Sequence, residues 1–354
     1  TIDAASIEGK HDLGSGYQLN WQAGASQGER DVPKRDDWEY RSAAGAFPNS
    51  YDLTSGHLVI TPNAAFYNPA SYPFRRVRFR SDLEREKVFS AQADLRRDTQ
   101  IGGQNGYWKT GVKYVTRDKA DDRSNRNYNL LGTAWTLAEP SLAGAEPTNY
   151  FDGRYRFGPT IDLPANEKFF AAIHARFAFD PIGSLNNSIS GDFDASEDVF
   201  ATYGMAGVNL SPAWTALAGV RYERTEATYR ANALSTPGGV FSGVFRRVTG
   251  RSTYDNVMPG LHLVWRPTKR YVGRLAWTNT MARPNYADLA PRRVVDDVET
   301  SVGSGRSTGN ISTGNSSLKP YKSSNVDLTL EYYMKGGGIV SVGAFNKNIE
   351  NPIY

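Results

Sequence analysis

The side chains best suited to catching a ligand lie in residues 27–82, a stretch of low periodicity that interleaves arginines with the rings of Trp38, Tyr40, Tyr51, Tyr67 and Tyr72. Aromatic faces and guanidinium forks suit sugars and anionic ligands. The same rings can equally pack loop on loop. A second polar set, Lys109, Lys113, Arg221, Glu223, Asn325, Asp327 and Glu331, falls on one face of alternating segments. These residues can line a substrate path, or simply pair with one another in a wet interior. Metal and enzyme chemistry have thinner support. Residues 192–198 gather carboxylates, which suit calcium, but the glycine and terminal glutamate of an EF-hand are missing. His11, His57, His174 and His262 lack the i, i+4 spacing of a helical zinc site. Gly303-Ser-Gly305 supplies only fragments of a nucleophile elbow, with no strand-then-helix context. There is no cysteine, which removes disulfides, thiolate metal sites and thiol nucleophiles. We therefore expect no catalytic residue, no metal site and no cofactor.

The elements that position these groups read as strands. Tyr271, Gly273, Leu275 and Trp277 share one face, and Ser324, Val326, Leu328, Leu330 and Tyr332 share another, each alternating with a second face that carries Arg274, or Asn325, Asp327 and Glu331. A period of two is a pleated strand. A strand with carboxylates on its second face is not buried on both sides, so its sheet separates an apolar medium from a polar one. The same alternation recurs at 17–26, 88–95, 107–115, 197–205 and 214–223, giving about ten strands in all.

Short turns (11–16, 99–106, 210–213, 267–269, 334–338) alternate along the chain with long excursions (27–82, 117–192, 229–252, 283–320). One sheet edge thus has tight turns and the other large loops, as in bacterial outer-membrane barrels. Rings beside the tight turns, including Tyr17, Tyr107, Trp108, Trp214, Trp265 and Tyr271, fit an interfacial girdle.

Composition agrees. Aromatics make up 12% of the 354 residues, and 34 are glycine. No run of about 18 apolar residues is present to form a membrane helix, and a mean hydropathy of −0.53 does not argue against a barrel, whose strands are only half apolar. A net charge of +4, without runs of one sign, speaks against a nucleic-acid partner.

Arg283-Pro284, Tyr286, Leu289 and Pro291, then Gly314-Asn315, Leu318-Lys319-Pro320, Ser324-Asn325, Asp327-Leu328, Glu331-Tyr332-Tyr333 and Phe345, Lys347, Ile349 resemble the C-terminal half of TonB-dependent outer-membrane receptor barrels of the Caulobacter and Xanthomonas type. Ser316 and Tyr321 stand where that family more often has a proline and an acidic residue.

The resemblance implies an all-β, transmembrane, antiparallel up-and-down barrel, here spanning residues 1–354 as about ten strands of a barrel of about twenty-two, without the N-terminal plug and terminal strands. It implies a home in the outer membrane of a Gram-negative bacterium, with lipid around the wall. The expected function is active uptake of a scarce nutrient, an oligosaccharide or iron chelate, coupled to the inner-membrane TonB complex through the plug. Arg283, Pro284, Leu318, Lys319 and Pro320 act in this picture as devices that end strands and pin the loop between them. The alternatives are a non-coupled porin or adhesin barrel, and a secreted soluble β-protein active on carbohydrate.

Overall fold

A computed structural model describes residues 1–353 except 44, 55, 57, 147–149, 153–154, 236–240 and 301–306. The Gly303–Gly305 segment therefore lies outside the described residues. Ten antiparallel strands follow one another in chain order: β1 (Ile2–Gly14), β2 (Tyr17–Tyr40), β3 (Phe74–Ile101), β4 (Gln104–Leu130), β5 (Phe193–Ser211), β6 (Trp214–Leu234), β7 (Phe245–Thr268), β8 (Tyr271–Ala282), β9 (Tyr321–Tyr333) and β10 (Ile339–Glu350). Each pairs with its sequence neighbour, so the sheet is an up-and-down meander. All five tight turns lie where the spacing puts them. At the first, Gly14, Ser15 and Gly16 all take positive φ, and Gly102 and Gly103 do so at the second. Such turns join strands with little loss of pairing.

The register resolves two unlike faces. In β9, Val326, Leu328 and Leu330 are 43%, 43% and 49% exposed, whereas Asn325 is buried and Asp327 and Glu331 are half-buried. Pairing carries the apolar face across the sheet: Val326 stands opposite Trp277, and Trp277 opposite Leu261. The polar face continues in the same way through Asp327 and Ala276 to His262. Exposed apolar side chains in continuous rows are the mark of a surface that meets hydrocarbon.

Strands are longer than their apolar alternation. Residues 27–40 and 74–82, read from sequence as part of an aperiodic excursion, belong to β2 and β3, and 117–130 belongs to β4. His11–Leu13, read as a turn, continues β1. In these extensions cross-strand ion pairs such as Arg30–Glu84 (2.7 Å) and Arg85–Glu29 (2.9 Å) take the place of apolar rows. Backbone ladders persist where the hydrophobic signal has stopped.

The chain forms two compact units, Thr1–Asp31 with Leu83–Asp122 and Ser190–Tyr354, and Val32–Asp82 with Arg123–Ile189. The second has its own core of Trp38, Phe74, Val77, Trp135, Leu137, Leu142 and Phe177. Phe74 stacks on Trp135 at 4.4 Å, and Phe170 tilts against Phe177 at 4.6 Å. Two helices complete it, α1 (Leu163–Ala172) and α2 (Pro181–Ile189). The Asp162 side chain caps α1 by accepting from Ala165 N at 2.9 Å, and a proline follows in the first turn. Asn166, fully buried, donates to the carbonyls of Leu142 and Asp162 and accepts from the Tyr40 hydroxyl at 2.5 Å.

Candidate functional site

In the first unit the segment after β8 turns back over the sheet. Pro284 ends β8, and the short helix α3 (Tyr286–Leu289) follows. Leu289 and Ala290 then pack with Phe193, Ala195, Ala227, Tyr229 and Ala231 on the less exposed face of β5 and β6, with Leu318 against the same cluster. Pro320 is buried just before β9, and Lys319 is exposed. Both departures from the family pattern are satisfied locally: Ser316 Oγ donates to the Leu289 carbonyl at 2.7 Å, and Tyr321 OH to that of Ile353 at 3.3 Å.

This fold-back places Arg283 among buried carboxylates. Its guanidinium lies 3.5 Å from Glu197, bonds Glu223 and donates to Thr225 Oγ1 at 3.1 Å. Glu197 and Glu223 are 3% and 6% exposed. Arg221 reaches Glu223 at 2.8 Å from the same strand. On the other side, Tyr286 OH donates to Glu197 at 3.1 Å and accepts from Arg117 at 3.2 Å, while Arg117 also meets Glu86 at 3.0 Å. The result is a ladder of alternating charge, Glu86, Arg117, Glu197, Arg283, Glu223, Arg221, crossing four strands and one loop. Burial pushes the Tyr286 hydroxyl up to about 12, against the pull of Arg117, so it stays protonated and able to donate.

A smaller cluster lies lower on the same face. Tyr203 OH donates to Asp94 at 2.6 Å, and Lys109 sits 3.4 Å from that carboxylate. Gly111 makes room for it: a Cβ there would lie 2.3 Å from Asp94 Oδ1. Lys113 is half-buried on this side, while Val112 and Tyr114 are exposed on the other. Across the sheet Arg274 pairs with Glu331 at 2.5 Å, and Asn325 accepts from Ser323 Oγ at 2.7 Å. Lys109, Lys113, Arg221, Glu223, Asn325, Asp327 and Glu331 thus share one face, as their spacing predicts. Glu86 and Arg117 escaped the sequence reading, which held Tyr286 only as a motif residue and Glu197 only among the carboxylates of 192–198. The available signal was Glu197, a lone carboxylate in phase with Val199 and Ala201.

The five rings of the first excursion divide. Trp38 is buried in the core of the second unit, Tyr40 bonds Asn166 and accepts from Trp135 Nε1 at 3.2 Å, and Tyr72 packs against that core and donates to the Phe66 carbonyl at 2.7 Å. For these three, packing is the observed state, because a loop body of this size needs a core of its own. Tyr51 is 70% exposed, and Tyr67 lies under the Arg156 guanidinium at 4.1 Å. The carboxylates of 192–198 spread along β5 instead of converging: Asp194 pairs with Arg247 and Glu197 joins the ladder. Among the described residues no cluster of three metal-ligating side chains occurs.

The family described as "TonB dependent receptor-like, beta-barrel" matches residues 20–354. No curated protein matches the chain. Among solved structures, the closed form of the ferric-catecholate import receptor Fiu from E. coli K12 is similar at 12% identity with a TM-score of 0.55, over 99% of this chain and 41% of that one. Its open form gives 11% identity, a TM-score of 0.54 and the same coverage. The ferric citrate transporter FecA, unliganded, gives 13% identity and a TM-score of 0.50, over 98% of this chain and 34% of that one. The chain therefore spans less than half the length of Fiu and of FecA. An oily-faced antiparallel meander with tight turns on one edge, matched by a family over nearly its whole length, is the incomplete wall of a transmembrane β-barrel, and the chain belongs to the TonB-dependent receptor-like β-barrel family.

Proposed function

We propose that the chain forms the wall and ligand-facing loops of an outer-membrane receptor that takes up a scarce nutrient at the expense of the inner-membrane proton gradient, through the TonB complex. The observation that carries this reading is the two-faced sheet: one face rows of exposed Val, Leu and Trp for lipid, the other a ladder of paired charges. On this reading Lys109, Lys113, Arg221, Glu223, Asn325, Asp327 and Glu331 line the lumen, and the long excursions lie outside the cell. The charge ladder holds the loop after β8 rigidly against the wall, and Tyr51 and Tyr67 are the rings of the first excursion offered to a ligand. The nutrient is an oligosaccharide or an iron chelate; the latter is the cargo class of the ferric-catecholate import receptor Fiu and the ferric citrate transporter FecA. Cells carrying the full-length gene should accumulate labelled oligosaccharide or labelled ferric chelate, and dissipating the proton gradient should abolish that accumulation. Uptake that continues unchanged without the gradient rejects the coupled mechanism and leaves a passive barrel.

A further inference from the structure

We propose that a cleft in the second unit binds an acidic oligosaccharide through its carboxylate, an inference that takes its biological use, though not its chemistry, from the uptake reading. The cleft encloses about 380 Å³, within the range of small-molecule sites, about 300–1,000 Å³. Its walls are β2, β3, β4 and α1, and they bring Lys34, Arg80 and Arg126 together with Asp36 and Glu167. Three cations against two carboxylates leave a net charge of +1.

That charge is not shared evenly. Lys34 takes both carboxylates, lying 2.7 Å from Glu167 and 3.5 Å from Asp36. Arg80 and Arg126 form no ion pair among the described residues, although the arginines next to Arg80 on β3 do: Arg75 and Arg76 both close on Glu39, and Arg78 on Asp37. The Arg80 Nε is buried with no hydrogen-bond acceptor and the Asp36 Oδ2 with no donor, and proteins rarely bury polar atoms unsatisfied, so the cleft suits a ligand that offers both a carboxylate and hydroxyl donors. Arg126 lies 6.0 Å over the Phe79 ring, a contact that orients a guanidinium without neutralising it. A carboxylate arriving at this wall gives the Arg80 Nε the acceptor it lacks and the Arg126 guanidinium an ion-pair partner.

The remaining lining points to a sugar acid over a bare inorganic anion. Phe79 and Phe170 give an apolar floor for a carbon skeleton, while the hydroxyls of Ser81 and Ser124 give partners for ring hydroxyls. Amphipathic walls with a few placed charges are what a sugar acid requires.

Isothermal titration of the full-length protein in detergent, with digalacturonate, neutral galactobiose and sulfate as probes, tests this. Digalacturonate should bind about tenfold or more tightly than galactobiose, the difference expected of a charge-assisted pair. Arg80→Gln with Arg126→Gln should lower its affinity by a similar factor at an unchanged melting temperature. Glu167→Gln should raise the affinity by releasing Lys34, and it decides the matter if the double variant does not fold. Equal binding of the two sugars, sulfate binding as tightly as digalacturonate, or an affinity unmoved by either variant overturns the proposal. Titration needs no energised membrane, so binding without gradient-dependent uptake would reject the transport reading alone, and gradient-dependent uptake without this binding would reject the cleft alone.

Discussion

The guanidinium of Arg283, just past the end of β8, lies 3.5 Å from the buried carboxylate of Glu197 on β5, three strands away along the sheet. The same guanidinium bonds Glu223 on β6. One side chain thus compensates two carboxylates from which water is almost excluded, and it ties the loop after β8 to the wall. Removing one partner of such a set leaves charge stranded in a poorly solvated place.

Arg283→Met should therefore destabilise the barrel by about 3 kcal/mol, the low end of the range for an uncompensated buried charge, because Arg117 and Arg221 remain. Urea unfolding of the full-length protein in lipid vesicles measures it. Arg283→Lys should recover only part of the loss, since an ammonium does not bridge two carboxylates as a fork does. An unchanged urea midpoint for the methionine variant would mean that the ladder is not structural.

Tyr286 both receives from Arg117 and donates to Glu197. Burial raises its hydroxyl to about 12, above the ordinary 10.0. The folded state therefore holds the proton more tightly than the unfolded state. Its contribution is full below pH 10 and fades as pH rises from there through 12. Tyr286→Phe should cost about 1–2 kcal/mol at neutral pH and flatten that alkaline loss. Ultraviolet titration and melting curves at pH 9 to 12 check both, and an identical alkaline slope in the variant would rule out this residue as the source.

Glu39 draws in Arg41, Arg75 and Arg76 at 2.8, 2.7 and 2.6 Å. Burial works to raise its carboxyl, but the hydrogen bond from Arg75 and the charges of all three arginines outweigh it and hold the group below its usual range. Its contribution to stability is present above the ordinary carboxylate pKa and is lost as pH falls through the depressed one. Glu39→Gln should cost about 1 kcal/mol and sharpen protease cutting within residues 32–82 and 123–189 at neutral pH. At a pH low enough to protonate the native glutamate, the two proteins should be cut alike. A cutting difference that persists there would assign the effect to something other than charge.

Leu328→Lys puts a charge on the apolar rows, while Asp327→Lys, one residue earlier, keeps it on the polar face. The first should cost about 2–4 kcal/mol if it meets the bilayer midplane and should reduce the protein recovered in outer-membrane fractions. The second should be recovered at close to wild-type levels. Equal losses from both would mean that the two faces do not meet different media.

The period-two rows of β8 and β9 and the positions of the tight turns are local properties. They were legible from sequence because side chains alternate by covalent geometry and because glycine pairs such as Gly102-Gly103 leave few other conformations. The face of Lys109, Arg221 and Asp327 follows from the same alternation. The extensions of β2 to Tyr40 and of β4 to Leu130 were hidden, since outside the apolar band strands are held by backbone ladders and ion pairs that leave no hydrophobic period. Trp38 and Tyr51 are equally aromatic in the sequence, yet one is interior and the other exposed, because enclosure depends on Trp135, Phe170 and Phe177 arriving from a distant part of the chain. The meeting of Arg283 with Glu197 and Glu223 is likewise tertiary: residues sixty and more positions apart are brought within bonding distance only when the segment after β8 folds back on the wall.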